Sequence, residues 1–309
     1  MNKSKPVLSL GKKIKLLKDR KLIILNPKNL KINLRNYGYQ WFINGYNDPF
    51  MKNFDRNKNE YAYNSSSESF NDIFKYDKEL RLLFTRHIAD IESAFVTKIV
   101  DFISEKLVEW DGKILKIDDS TFKSIFSSSI NKEYIFNLLT KYIDENDKLF
   151  LKYNIQIKDD YLEIPIWVLC QTWSFGDTIK LFKSLNKELQ YKILKTYNNL
   201  NVNISQFVEI MTIIKKIRNI SAHNNVLYNI EIKVDKKYFK FFLKTNILEF
   251  NLGYNILHLF NLAEIVDIIK NFSNESIINE LSKITKKMII NSKFIPNESK
   301  EYILTKIGY

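Results

Sequence analysis

Arg218, Asn219 and His223 stand close together in the string RNISAHNNVLYN at 218–229, and their types suit one reaction. Cleavage of RNA by its own 2′-hydroxyl needs a group to take that proton, positive charge to meet the phosphorane, and a proton donor for the departing 5′-oxygen. Histidine exchanges protons near neutrality without large tuning, its ordinary pKa being about 6.5. Arginine stays charged and holds two phosphate oxygens in a fork. The pairing by itself is a weak signal, because a chain rich in Lys and Arg places an Arg shortly before a His by chance, as Arg81 and His87 also do. The plainer reading is an Arg paired with a neighbouring acid and a His that fills a helix junction. Against it, Ser221, Asn224 and Asn225 surround the histidine with polar groups that suit an open site. Asn224, Asn225 and Lys215 are further candidates for RNA contact.

Helical geometry limits how these groups can work together. At about 100° per residue, Asn219 and His223 share a face, whereas Arg218 and His223 are about 140° apart. Convergence of the two therefore requires a helix end near Asn224-Asn225, or a second copy of the motif brought in by another subunit. A two-fold homodimer would also supply two histidines, one for each proton transfer.

The elements that must position this motif read as helices. The apolar face Phe207, Ile210, Met211, Ile214 and Ile217 predicts a helix over about 203–220 that leads straight into the motif. Phe74, Leu80, Phe84, Ile88, Ile91, Phe95, Ile99 and Phe102 predict a long helix from about Asn71 to Ser104, on which Asp77 and Arg81 are spaced to pair. Residues 6–24 suit a short amphipathic helix, and Asn26-Pro27-Lys28 a break before a second one. Residues 55–69 read as an exposed polar loop. Residues 105–160, rich in Lys and Asp, read as a peripheral insertion with helical pieces. From 164 to 177 a helix is expected to start at Pro165 and stop at Gly176, with Asp177 capping the next. Residues 236–244 suit helix or strand, and two more amphipathic helices fit about 255–272 and 275–291. Between 36 and 50 aromatic residues cluster around two glycines; Tyr39 and Trp41 there could stack on RNA bases, or the cluster could lock the N-terminal helices in place.

Composition agrees with helices and bounds the partners. The chain has 309 residues with only 7 Gly and 5 Pro, too few to turn the corners of a many-stranded sandwich or barrel. The net charge of +13 favours a polyanionic partner, although an A/T-rich coding bias toward Lys, Asn and Ile explains much of it. One cysteine, Cys170, excludes an intrachain disulfide, and three histidines offer no zinc-ligand spacing. With no run of about 18 apolar residues, the expectation is a cytoplasmic protein without metal, cofactor or membrane.

The motif also resembles a known pattern. The RN-x-x-AH signature followed by a Leu-Tyr-Asn tail is similar to that of the Abi-like (AbiD/AbiF type) abortive-infection proteins of the HEPN superfamily. Further blocks resemble that family in order: Lys5-Pro6; Tyr39-Gln-Trp with Gly45-Tyr46 and Pro49-Phe50; Tyr76-Asp77 with Leu80-Arg81 and Ile91-Glu92; Pro165-Ile-Trp-Val with Ser174-Phe-Gly176; and Lys306-Ile-Gly-Tyr309. The resemblance implies an all-α, HEPN-like helical bundle over 1–309, with an N-terminal helical and aromatic segment (1–60) packed on a core (65–309) that carries the insertion. It implies a metal-independent endoribonuclease of phage defence or toxin type, leaving a cyclic phosphate and a 5′-hydroxyl. Arg218 would contact the scissile phosphate, Asn219 would orient it or the histidine, and His223 would be the acid/base. Asn224-Asn225-Val226 departs from relatives that carry another His and a basic residue there, so auxiliary phosphate contacts are either missing or come from elsewhere. His87 and His258 read as structural. A non-catalytic RNA-binding protein in complex with a small regulatory non-coding RNA is the alternative function, and a purely structural partner of another defence component is a third.

Overall fold

The structure, a computed structural model, describes residues 8–55, 59–107, 119–141, 157–158, 161–162, 165–197, 200–235, 250–251, 254–270 and 276–309. The expectations for Lys5-Pro6 and 236–244, and for much of 105–160, fall outside them. Contacts divide the chain into two compact units, one of residues 1–85, 219–264 and 275–309, the other of 86–218 and 265–274.

In the first unit, Ser9 caps α1 (Leu10–Asp19). Asn26 caps α2 (Pro27–Asn36) by accepting from the Asn29 N–H at 3.0 Å, with Pro27 in the first turn where no amide is needed. Gly38, at φ +75°, allows the bend into α3 (Gly38–Phe42), and three short 3₁₀ turns follow to Phe54. α4 (Ser67–Leu107) supplies residues to both units. It starts earlier than the apolar stripe suggests, and the expected exposed loop 55–69 is corrected at its end: Ser65, Ser66, Ser67 and Ser69 are buried. Ser66 and Ser69 explain this by capping reciprocally, each hydroxyl accepting from the other's amide at 3.2 Å, so the serines enter the core with their polar atoms satisfied.

In the second unit, α5 (Asp119–Ile125) and α6 (Lys132–Thr140) bury Phe122, Ile135 and Leu139, and β1 (Ile157–Lys158) pairs with β2 (Tyr161–Leu162). The helix expected from Pro165 to Gly176 is in fact two. α7 (Ile166–Leu169) ends in a 3₁₀ turn, and α8 (Phe175–Ser184) begins at Ser174, so Gly176 lies inside a helix. Ser174 Oγ accepts from the Asp177 N–H at 3.2 Å and donates to its carboxylate at 2.6 Å, which starts the helix ahead of the glycine. α9 (Lys187–Lys195) follows. Phe95, Phe175, Phe182 and Phe207 meet edge-to-face or tilted, with centroids 5.3–6.4 Å apart, to form this unit's aromatic core.

α10 (Ile204–Ala222) matches its predicted stripe: Phe207, Ile210, Met211, Ile214 and Ile217 are all buried. After it, β3 (Ile232–Val234), β4 (Phe250–Asn251) and β5 (Tyr254–Leu257) form a small antiparallel sheet in the order β3-β5-β4. The helix expected from 255 is therefore corrected: its first residues pair as a strand, and α11 (Leu259–Ile269) begins only at Leu259. α12 (Ile277–Thr285) runs into a π turn to Ile290, and α13 (Asn297–Ile307) ends at Gly308 in the left-handed region. The protein is all-α in class, with short strands as an addition. No helix among the described residues is long and apolar enough to cross a membrane.

Candidate functional site

α10 carries the motif to a fixed point. Asn203 and Gln206 set its start by reciprocal amide bonds of 2.8 and 2.9 Å. Its last turn closes with the His223 N–H donating to the Asn219 carbonyl at 3.1 Å, and Asn224 then adopts φ +56°. Asparagine enters the left-handed region at less cost than most side chains, so the chain leaves the helix where the polar residues after His223 allow it. The helix end anticipated near Asn224-Asn225 is present.

A buried ion pair holds the segment that follows. Arg81 Nη1 lies 3.1 Å from Asp77 Oδ2 and donates to the carbonyls of Asn224 and Asn225 at 3.2 and 3.3 Å. Asp77 Oδ1 accepts from the amides of Leu227 and Tyr228, each at 2.7 Å, and Oδ2 accepts from the Tyr46 hydroxyl at 2.9 Å. Asp77 is fully buried. Burial raises its carboxyl above the ordinary range, and the Arg81 guanidinium and the Tyr228 and Leu227 amides offset only part of that rise. The Tyr46 ring stacks on Tyr228. A Cβ at Gly45 would meet Val226 Cγ2 at 3.0 Å, so glycine lets the 3₁₀ turn lie directly against the segment. Two helical residues four apart thus bond four of the five residues after His223.

Beside this segment, within the same unit, is a cleft of about 550 Å³. Its lining includes His223, Asn224 and Ser221 from the motif, Lys78 and Arg81 from α4, and Tyr37 and Trp41 at α3. His223 and Lys78 are exposed, so the cleft presents an imidazole and an ammonium to solvent beside an aromatic wall. Sequence reading did not select Lys78 as a site residue. Its signal was the spacing from Phe74 to Lys78 to Leu82 along one face of α4, but nothing in the sequence says that this face meets the motif.

The other candidates fall elsewhere. Arg218 is half-exposed, with Nε 3.5 Å from Glu92, so the acidic neighbour of the plainer reading is present. Asn219 and Asn225 are exposed. The Lys215 chain passes over Gly176, its Cδ 3.6 Å from where a Cβ would stand. Tyr39 is half-buried, and burial raises its hydroxyl pKa. Among the described residues these five are not part of the cleft lining. His87 is fully buried, and its Nδ1 lies 2.9 Å from Lys270 Nζ, which reaches Asp90 at 3.1 Å. His258 is buried at the start of α11, where its amide donates to Asn261 Oδ1. No cluster of acids, histidines or cysteines among the described residues has the arrangement of a metal site.

The model of the Abi-like protein family matches residues 33–229. The chain belongs to that family. Membership implies a part in abortive infection, a form of phage defence. No curated protein and no solved structure matches the chain. The Abi-like span runs from the last turn of α2 through α10 and ends at Asn229, so it takes in the motif, the cleft and the ion pair behind them. Three Abi-like blocks quoted above, Gly45-Tyr46, Tyr76-Asp77 and Leu80-Arg81, meet at the segment after His223 through the contacts just described.

Proposed function

We propose that this Abi-like protein is a metal-independent endoribonuclease that cuts RNA through attack of its own 2′-hydroxyl, as the HEPN resemblance implies. The observation that carries the reading is His223: an exposed imidazole on a cleft, set at a helix end by a buried ion pair. His223 takes the 2′-hydroxyl proton, O2′ bonds to phosphorus and the P–O5′ bond breaks. A proton passed to O5′ leaves a 2′,3′-cyclic phosphate and a 5′-hydroxyl. The imidazole protonated in the first transfer can supply the second, or a homodimer can bring a second histidine.

Arg218 contacts the scissile phosphate in this proposal, and Asn219 orients the phosphate or the histidine. The Arg218 pair with Glu92 is half-exposed, so it contributes at most about 1 kcal/mol and a phosphate can displace it. Lys78, on the cleft wall, supports the developing phosphorane charge and takes the place of the basic residue that Asn224-Asn225-Val226 lacks. The test is incubation of purified protein with labelled RNA in EDTA, wild type against His223→Ala. Cleavage lost in the variant supports the enzyme. Tight, salt-sensitive binding without cleavage in either protein would replace it with an RNA-binding module held by a small RNA.

A further inference from the structure

The geometry points to single-stranded RNA as the substrate class, with one unpaired base stacked on Trp41 in the cleft and the backbone running along α2. The inference rests on the ribonuclease reading for its substrate but stands on different residues. Half of the six aromatic residues between 36 and 50 belong to the core: Phe42, Tyr46 and Phe50 are buried. Trp41 and Tyr37 are not, at 51% and 41% exposed, and both line the cleft with His223. The Tyr37 ring is held against Phe74 at 4.6 Å, which fixes that wall. A base offers its face to an aromatic ring only when it is out of a duplex stack, and the cleft has the volume of a small-ligand site. Asn36, also in the lining, supplies an amide for a base edge.

The path to the cleft is charged. α2 contains no acid, and its Lys28, Lys31 and Arg35 are exposed. Their spacing of three and four places them within about 60° of one stripe and about 10 Å of helix axis. The stripe ends at Arg35, next in sequence to Asn36 and Tyr37, where the cleft lining begins. Three cations leading to an aromatic wall form a phosphate track that ends in a base platform, an arrangement suited to a single strand.

The test uses the full-length protein and a fluorescein-labelled 2′-O-methyl oligonucleotide, alone and annealed to its complement, since 2′-O-methyl sugars block attack without removing bases or phosphates. The single strand is expected to bind about tenfold more tightly than the duplex. Trp41→Ala should weaken single-strand binding about tenfold without changing its salt dependence, and Trp41→Phe, which keeps a ring face, should restore most of it. Substituting Lys28, Lys31 and Arg35 together by Ser should reduce the slope of log K against log salt by about 2. Equal binding of duplex and single strand, unchanged binding by Trp41→Ala, or an unchanged slope in the triple variant overturns the inference. Cleavage of plain RNA, followed in parallel, separates the two readings. The binding pattern without cleavage keeps this inference and removes the enzyme; cleavage indifferent to Trp41 and to pairing does the reverse.

Discussion

Asp77→Ala tests whether the segment after His223 is held from α4. The substitution leaves the Arg81 guanidinium without its carboxylate, the Leu227 and Tyr228 amides without their acceptor, and the Tyr46 hydroxyl without its partner. Removing one member of a buried ion pair costs about 3–5 kcal/mol, and each buried amide left unsatisfied about 1–3 kcal/mol. The terms overlap, because the freed segment can move and hydrate, so about 4 kcal/mol is expected in urea unfolding. Asp77→Asn either keeps its one carbonyl oxygen for the amides and turns its NH₂ toward Arg81, or offers that uncharged oxygen to Arg81 and its NH₂ to the amides; its cost should be smaller, about 3 kcal/mol. Combining Asp77→Ala with Arg81→Met should cost less than the two single changes added, with a coupling of at least about 2 kcal/mol. Under folding conditions both Asp77 variants should lose RNA cleavage, since His223 then precedes an untethered segment. An Asp77→Ala protein destabilised by less than about 1 kcal/mol, or one additive with Arg81→Met, would refute the argument that this carboxylate organises the site.

Other outcomes follow from single residues. His223→Ala and Arg218→Ala should each abolish cleavage and change unfolding free energy by no more than about 0.5 kcal/mol, because both side chains are at least partly exposed; a large, equal loss of thermal stability in both would count against a site role. Gly45→Ala places a methyl 3.0 Å from Val226 Cγ2 and should cost about 1–2 kcal/mol with reduced cleavage, read by thermal unfolding and activity together. Burial pushes the Cys170 thiol up to about 11, so thiolate is scarce at pH 8. Alkylation by iodoacetamide there should be about a hundredfold slower than for a free cysteine and should accelerate up to that pKa; a rate already at its plateau by pH 9 contradicts this. Gly308, at φ +74° with a prospective Cβ 3.1 Å from His258 Cβ, should not accept Ala without a loss of about 1–2 kcal/mol in thermal unfolding.

The helices were legible where one face dominates. The α10 stripe and the central part of α4 follow from apolar spacing, and the Asp77–Arg81 pair from an interval of four. What the sequence did not show was the partner of each face. Asp77 and Arg81 read as one helical ion pair, yet their energetic weight comes from backbone groups some 150 residues away. Ser65 to Ser69 read as solvent-exposed because hydroxyls usually are, and reciprocal capping reverses that. Tyr254 to Leu257 carried too short an alternation to stand out against the apolar helix that follows, and only pairing with β3 makes it a strand. For the site, residue types identified His223 and Trp41 as candidates. That both line one cleft depends on the 3₁₀ turns at 44–50 and on the glycine that lets Val226 approach.

The chemistry itself is tested most directly by the ends of the cut RNA. Wild-type protein in EDTA should yield fragments that mass spectrometry reads as 2′,3′-cyclic phosphate and 5′-hydroxyl termini, a substrate with a 2′-deoxy sugar at the cut should stay intact, and His223→Ala should produce neither terminus. Undiminished cleavage by His223→Ala, or 3′-hydroxyl and 5′-phosphate ends, would contradict the account.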